Sequence, residues 1–227
     1  GDGTVPVYYA GDTAEGPRLF REHHRAGPDI DPALAALRLA DTAAADDPDL
    51  RSPWPEGTDV LSVTPADAAG PVVVDVSGGP SDWTSDDAQL ALQQLAWTVH
   101  DVRRTAAALR VTEDGVTVAT VTRSPADVVL ALVQVDAPAD GATVASGSVV
   151  RGRASAFEAN VQWELTQDGS VVKRGFTTAR ECCRLAPYSF RFPDVAAGTY
   201  TLVVHDEDVS DGEGGPPAQD TRRVTVE

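Results

Sequence analysis

TSDDAQLALQQLAWTVHDVRR, residues Thr84 to Arg104, is the stretch from which the fold can be read. Ala88, Ala91, Leu92, Leu95, Ala96, Val99 and Val102 recur at the i, i+3, i+4, i+7 spacing that gathers them on one face of a helix. Thr84 and Asp87 make a capping-box pattern at its start. Asp86 and Asp87 suit the positive end of the helix dipole, and Arg103 and Arg104 the negative end. A face of this length needs a cover, and the flanking sequence supplies strands. Val5, Val7 and Tyr9 alternate with their neighbours, which predicts a strand over 4–10, and a weaker one covers Arg18 to His24. Pro28 and Asp31-Pro32 open a second helix whose short apolar face, Leu34, Leu37 and Ala40, runs to about Ala44.

Turn clusters at Pro53-Trp54-Pro55-Glu56-Gly57-Thr58 and Ala69-Gly70-Pro71 feed strands over 59–64 and 72–76. After the long helix, strands over 108–112 and 116–122 flank the hairpin signal Asp114-Gly115. Strands interleaved with two helices predict an α+β domain over residues 1–124, both helices packed on one face of a mixed sheet. The breakers Arg123-Ser124-Pro125-Ala126-Asp127 end it. From 125 to 227 the pattern is strands throughout, over 128–135, 148–154, 161–166, 171–176, 188–192, 199–205 and 222–226, which predicts an all-β antiparallel sandwich. A two-residue turn at Asp168-Gly169 puts Leu165 opposite Val172, Glu164 opposite Lys173 and Trp163 opposite Arg174, with Val161, Trp163 and Leu165 turned inward. Phe190, Phe192, Tyr200, Leu202 and Val204 supply the facing core.

The formal net charge of −17 argues against nucleic acid and anionic lipid as partners, because such a field repels polyanions. The sequence contains no methionine, so Gly1 is not a translation start. The expectation is a removed N-terminal segment that anchors the protein, the membrane being reached only through it.

Candidate chemistry is sparse. Asp206, Asp208, Asp211 and Glu213 suggest a hard cation, but Gly212 and Pro217 miss the helix-loop-helix calcium spacing, so a solvated loop is the simpler reading. His23 and His24 point to opposite faces of a strand and show no third ligand, so no metal role is expected of them, while His100 and His205 read as surface residues. Cys182 and Cys183 leave three options open: free thiols, a vicinal disulfide, or a redox or intermolecular role. They lack the second pair that a zinc site needs. No nucleophile elbow, phosphate loop or zinc-protease signature occurs, so neither catalysis nor a cofactor is expected. Trp54 and Trp83 are candidate sugar platforms, or else packing residues of their own domain.

The order of Val7-Tyr8-Tyr9, a Leu/Ala helix, Pro55-Glu56-Gly57-Thr58, Val72-Val73-Val74-Asp75-Val76, Gln94-Leu95-Ala96-Trp97-Thr98-Val99 and the Asp114-Gly115 hairpin resembles the GerMN domain, the sporulation and spore germination domain of bacterial envelope proteins. That likeness covers residues 4–122. From Val133 to Val226 the chain is similar to the Gmad-type immunoglobulin-like domain of spore germination proteins. The motifs are Asp136-Ala137-Pro138 before Gly141, Gly152-x-Ala154-x-x-Phe157-Glu158-Ala159-Asn160-Val161, Gly198-Thr199-Tyr200-Thr201-Leu202 and Asp211-Gly212. Cys182-Cys183 departs from that pattern. The resemblance implies an exported, anchored, non-enzymatic protein that contacts other envelope proteins or cell-wall components, with a scaffolding task near the cell wall. A glycan- or peptidoglycan-binding module is the alternative.

Overall fold

The computed structural model describes residues 3–28, 30–41, 45–64, 72–207 and 216–227. The chain divides into two compact units, one holding Arg18–Pro125 with the residues up to Gly11, the other holding Ala126–Glu227 with Asp12–Pro17. Among the described residues there are four sheets and three α-helices, so the protein is mostly β-sheet.

In the first unit, β1 (Thr4–Thr13) lies between β2 (Gly16–Arg25) and the two-residue β3 (Leu50–Arg51). A second sheet joins β4 (Asp59–Thr64), β5 (Val72–Ser77), β6 (Leu109–Glu113) and β7 (Val116–Val121) in chain order, with β5 and β6 parallel. Between β5 and β6 runs α2 (Asp86–Arg103), and α1 (Pro32–Asp41) precedes β4. Asp31 caps α1, its Oδ1 accepting the N–H groups of Ala33 and Leu34. Ser85, not Thr84, caps α2 by accepting from Ala88 N, because Thr84 is held by Asp82, and Arg104 closes the helix in the left-handed conformation.

Both helices pack on the four-stranded sheet through Ala33, Leu37, Ala91, Leu92, Leu95, Ala96 and Val99. The helices have a second cover as well. Ala36 and Ala40 of α1 pack on Val5, Val7 and Tyr9 of β1, and Tyr8 packs on Trp97 of α2 and donates its hydroxyl to Asp101 Oδ2 at 2.6 Å. The expectation for His100 needs correcting. It is 4% exposed rather than on the surface, with Nε2 2.8 Å from Ala107 O.

The second unit begins with a short helix, α3 (Ala126–Val129), where the apolar run was expected to be strand; the sheet starts only at β8 (Val133–Ala137). A run such as Val128-Val129-Leu130 has no period that separates helix from strand. Then follow β9 (Ala142–Val144), β10 (Val149–Ala154), β11 (Asn160–Gln167), β12 (Ser170–Thr178), β13 (Ala186–Arg191), β14 (Gly198–Asp206) and β15 (Gln219–Val226). One sheet has the order β13-β10-β8, the other β12-β11-β14-β15-β9, and their facing residues share one core. The sandwich is not wholly antiparallel, because β9 joins β15 in parallel.

The Asp168-Gly169 turn forms, with Gln167 opposite Ser170, but a bulge between Leu165 and Thr166 shifts the register. Lys173 therefore faces Leu165, Arg174 faces Glu164 and Gly175 faces Trp163. Val161 and Leu165 are buried. Trp163 is half-buried, stacked on Phe190 at 5.2 Å and seated over Gly175, where an added Cβ would come within 2.4 Å of the indole.

Candidate functional site

Glu22 and His24 are two residues apart on β2, so they project to the same side of the strand, and His23 projects to the other. Their side chains meet at 2.7 Å between Oε2 and Nε2. The segment after α1 closes over them: Asp46 N donates to Glu22 Oε2 at 2.9 Å and Asp47 N to Oε1 at 3.0 Å. On the neighbouring strand the Tyr9 ring stands edge-on to His24, its hydroxyl 3.5 Å from Nε2 and donating to Leu39 O at 3.3 Å. The ligand atoms of Glu22, His24 and Asp46 all lie within 4.8 Å of one another. Glu22 is buried, His24 half-buried and Asp46 exposed, so the group has a closed floor and an open side.

Burial alone would push the Glu22 carboxyl up, but the His24 hydrogen bond and the Asp46 and Asp47 N–H groups outweigh it and hold it below its ordinary value. The Glu22 hydrogen bond raises His24 above the usual imidazole range against the opposing effect of burial. Burial, with the charges of Glu22 and Asp46, raises the Tyr9 hydroxyl. Sequence separation concealed this group, since Asp46 lies 24 residues from Glu22. The signal available was the Glu22-x-His24 alternation on a strand.

The other candidates scatter. Asp206 Oδ1 accepts from Phe157 N at 3.2 Å and Glu207 N at 2.8 Å, which ties β14 to the Phe-Glu-Ala-Asn-Val run. Asp208, Asp211 and Glu213 lie outside the described residues. In that run Glu158 and Ala159 both take left-handed φ within a short 3-10 turn, and Asn160 Nδ2 donates to Glu207 Oε2, a structural use of the motif. Cys182 and Cys183 are joined to each other in an exposed loop. His205 is half-buried, Nδ1 2.7 Å from Asp206 O.

Trp54 is buried, its indole N–H donating to Gln94 Oε1 at 3.0 Å, and Trp83 stands edge-on against it. Gln94 and Thr98 of the helix motif are themselves fully buried, so that motif belongs to the core. Beside this pair, Arg51, Trp54, Pro55, Asp82, Ser85 and Asp87 line an open groove of about 420 Å³ at the start of α2. Among the described residues no helix is long and apolar enough to cross a membrane.

No curated protein matches the chain. Among solved structures, the tandem GerMN domains of the sporulation protein GerM from Bacillus subtilis share 17% identity over 53% of this chain and 44% of that one, with a TM-score of 0.43. CopC from Methylosinus trichosporium OB3b shares 18% identity over 40% of this chain and 85% of that one, with a TM-score of 0.27. An engineered protein shares 17% identity over 61% and 36%, with a TM-score of 0.34. The chain thus spans under half the length of the GerM structure it matches. Residues 132–213 match the model of the immunoglobulin-like domain of bacterial spore germination, and residues 6–119 that of the sporulation and spore germination family. With half of its length in the second of these, the chain belongs to the sporulation and spore germination family and carries the immunoglobulin-like germination domain after that module.

Proposed function

We propose that this chain is a non-enzymatic interaction or scaffolding protein of the bacterial cell envelope, extracytoplasmic, held by an N-terminal anchor and linked to sporulation or germination. The observation that carries the reading is the succession of two germination modules on one chain. We read the first module as α+β over 1–124 and the second as the sandwich over 125–227. Contact with other envelope proteins or cell-wall components is assigned to sheet edges and loops. The best surface is β12, at the edge of its sheet, where Val172 is 46% and Phe176 71% exposed. An edge strand offers unpaired backbone groups, and apolar side chains beside it add specificity. The glycan reading has less support, since Trp54 is buried and the half-buried Trp83 packs edge-on against it.

The test is a photo-crosslinking residue at position 176 of the full-length protein in its producing cells, with a second at exposed Val116 of β7 as the control. Crosslinks to an envelope component from 176, absent from 116 and lost when Val172→Asp is added, support the reading. Equal or absent crosslinking from both positions removes it.

A further inference from the structure

We infer that Glu22, His24 and Asp46 form a binding site for a divalent transition-metal ion of the zinc type, with the Tyr9 hydroxyl at its edge. The donor set carries the inference. One imidazole nitrogen and two carboxylates converge from β2 and from the segment after α1, all within 4.8 Å. Zinc binds His nitrogen and carboxylate oxygen at about 2.0–2.2 Å, so tetrahedral neighbours sit about 3.3 Å apart. The 2.7 Å contact between Glu22 Oε2 and His24 Nε2 needs only a small opening to admit an ion between them. The imidazole selects against magnesium and calcium, which take oxygen ligands.

The electrostatic case agrees. With His24 neutral, the two carboxylates leave a double negative charge, which a divalent cation cancels. From the protonated ring, binding at Nε2 displaces that proton to solvent and leaves the neutral imidazole with its remaining proton on Nδ1. The site is also held from behind, because Asp47 N fixes Glu22 Oε1 and Asp46 N fixes Oε2. Partners of this kind orient a ligand before the ion arrives. Asp46 is exposed, so the ion has a way in and an open coordination position for water or for a side chain of a partner. The site is independent of the function proposed above.

The experiment uses the whole chain stripped with a chelator, then titrated with zinc chloride by calorimetry and with cobalt chloride by visible absorption. The expected result is one equivalent bound, with a cobalt spectrum of nitrogen and oxygen coordination. His24→Ala should abolish binding, and Asp46→Ala should weaken it at least tenfold. Asp46→Ala touches an exposed side chain and leaves folding intact, which circular dichroism checks. His23→Ala, and a variant with Asp206, Asp208 and Asp211 changed to Asn and Glu213 to Gln, should bind as the parent does. No uptake by the parent, equal affinity in Asp46→Ala and the parent, or loss of binding in the acidic-loop variant would each overturn the assignment.

Discussion

Glu22 and His24 on β2, and Asp220 and Arg222 on β15, are both acid-base pairs set two residues apart on a strand, and they are closed off very differently. In the sandwich, Arg222 Nη1 donates to Asp220 Oδ1 at 2.7 Å, Asp220 Oδ2 accepts from Val135 N at 2.7 Å, and Arg222 Nη2 donates to Val135 O at 2.7 Å. Acid and base together grip both backbone groups of one residue on β8, and both are sealed from water at 5% and 2% exposure. In the first unit the carboxylate grips backbone in the same way, but its partner is an imidazole, which can give up its proton, and a further carboxylate stands at an open side. A guanidinium stays charged and offers no lone pair to a metal, so the sandwich pair can only be structural. The type of base and the access to it separate a staple from a site.

The sandwich pair should give the largest effect when broken. Arg222→Ala takes the guanidinium from a buried carboxylate and should cost about 3–5 kcal/mol, read as a lower urea midpoint. Replacing Asp220 and Arg222 together by leucine should be milder than Arg222→Ala alone. A double variant as unstable as the single one would mean that the backbone grip, not the charge pair, dominates.

Crowding rather than charge limits Gly152, between β8 and β13, where an added Cβ would lie 1.9 Å from Gln134 O and 2.5 Å from the Tyr188 hydroxyl. Gly152→Ala should therefore lose about 1–3 kcal/mol by the same measurement.

Glu22→Gln removes a charged acceptor from two N–H groups and the imidazole, and should cost about 1.5–3 kcal/mol. In the metal-free protein it should also return His24 from its raised titration towards the ordinary imidazole range, because the Glu22 hydrogen bond is the main cause of the rise. An NMR titration of the ring protons that left His24 unmoved would break the pairing described here.

The exposed Glu164–Arg174 pair on the β11–β12 hairpin, 3.9 Å apart, is the baseline. Arg174→Ala should change stability by under about 1 kcal/mol in a thermal melt, and a larger loss would mean that the outer face of β12 is structurally more than a rim.

Periodicity located the long helix and most sandwich strands well, because each buries a face whose repeat is written in adjacent residues. What it missed depends on partners far along the chain. Gln94 is covered by Trp54 and His100 by the turn at Ala107, partners that the helix's own pattern does not announce. β9 pairs for only three residues, and the bulge beside Leu165 moved Lys173 and Arg174 by one place each, details below the reach of alternation. The metal ligands were half legible. Glu22 and His24 lie in one strand, but Asp46 arrives through a turn whose course is set by Glu22 itself.

The alanines of α1 act as a shim. Ala33 faces one core and Ala36 and Ala40 the other, so the gap that this helix fills is measured in methyl groups. A bulkier side chain at Ala36 has nowhere local to go and would wedge β1 away from the helix. Because β1 carries Tyr9 next to His24, such a change would loosen the ligand cluster from a distance, without touching any of its donors.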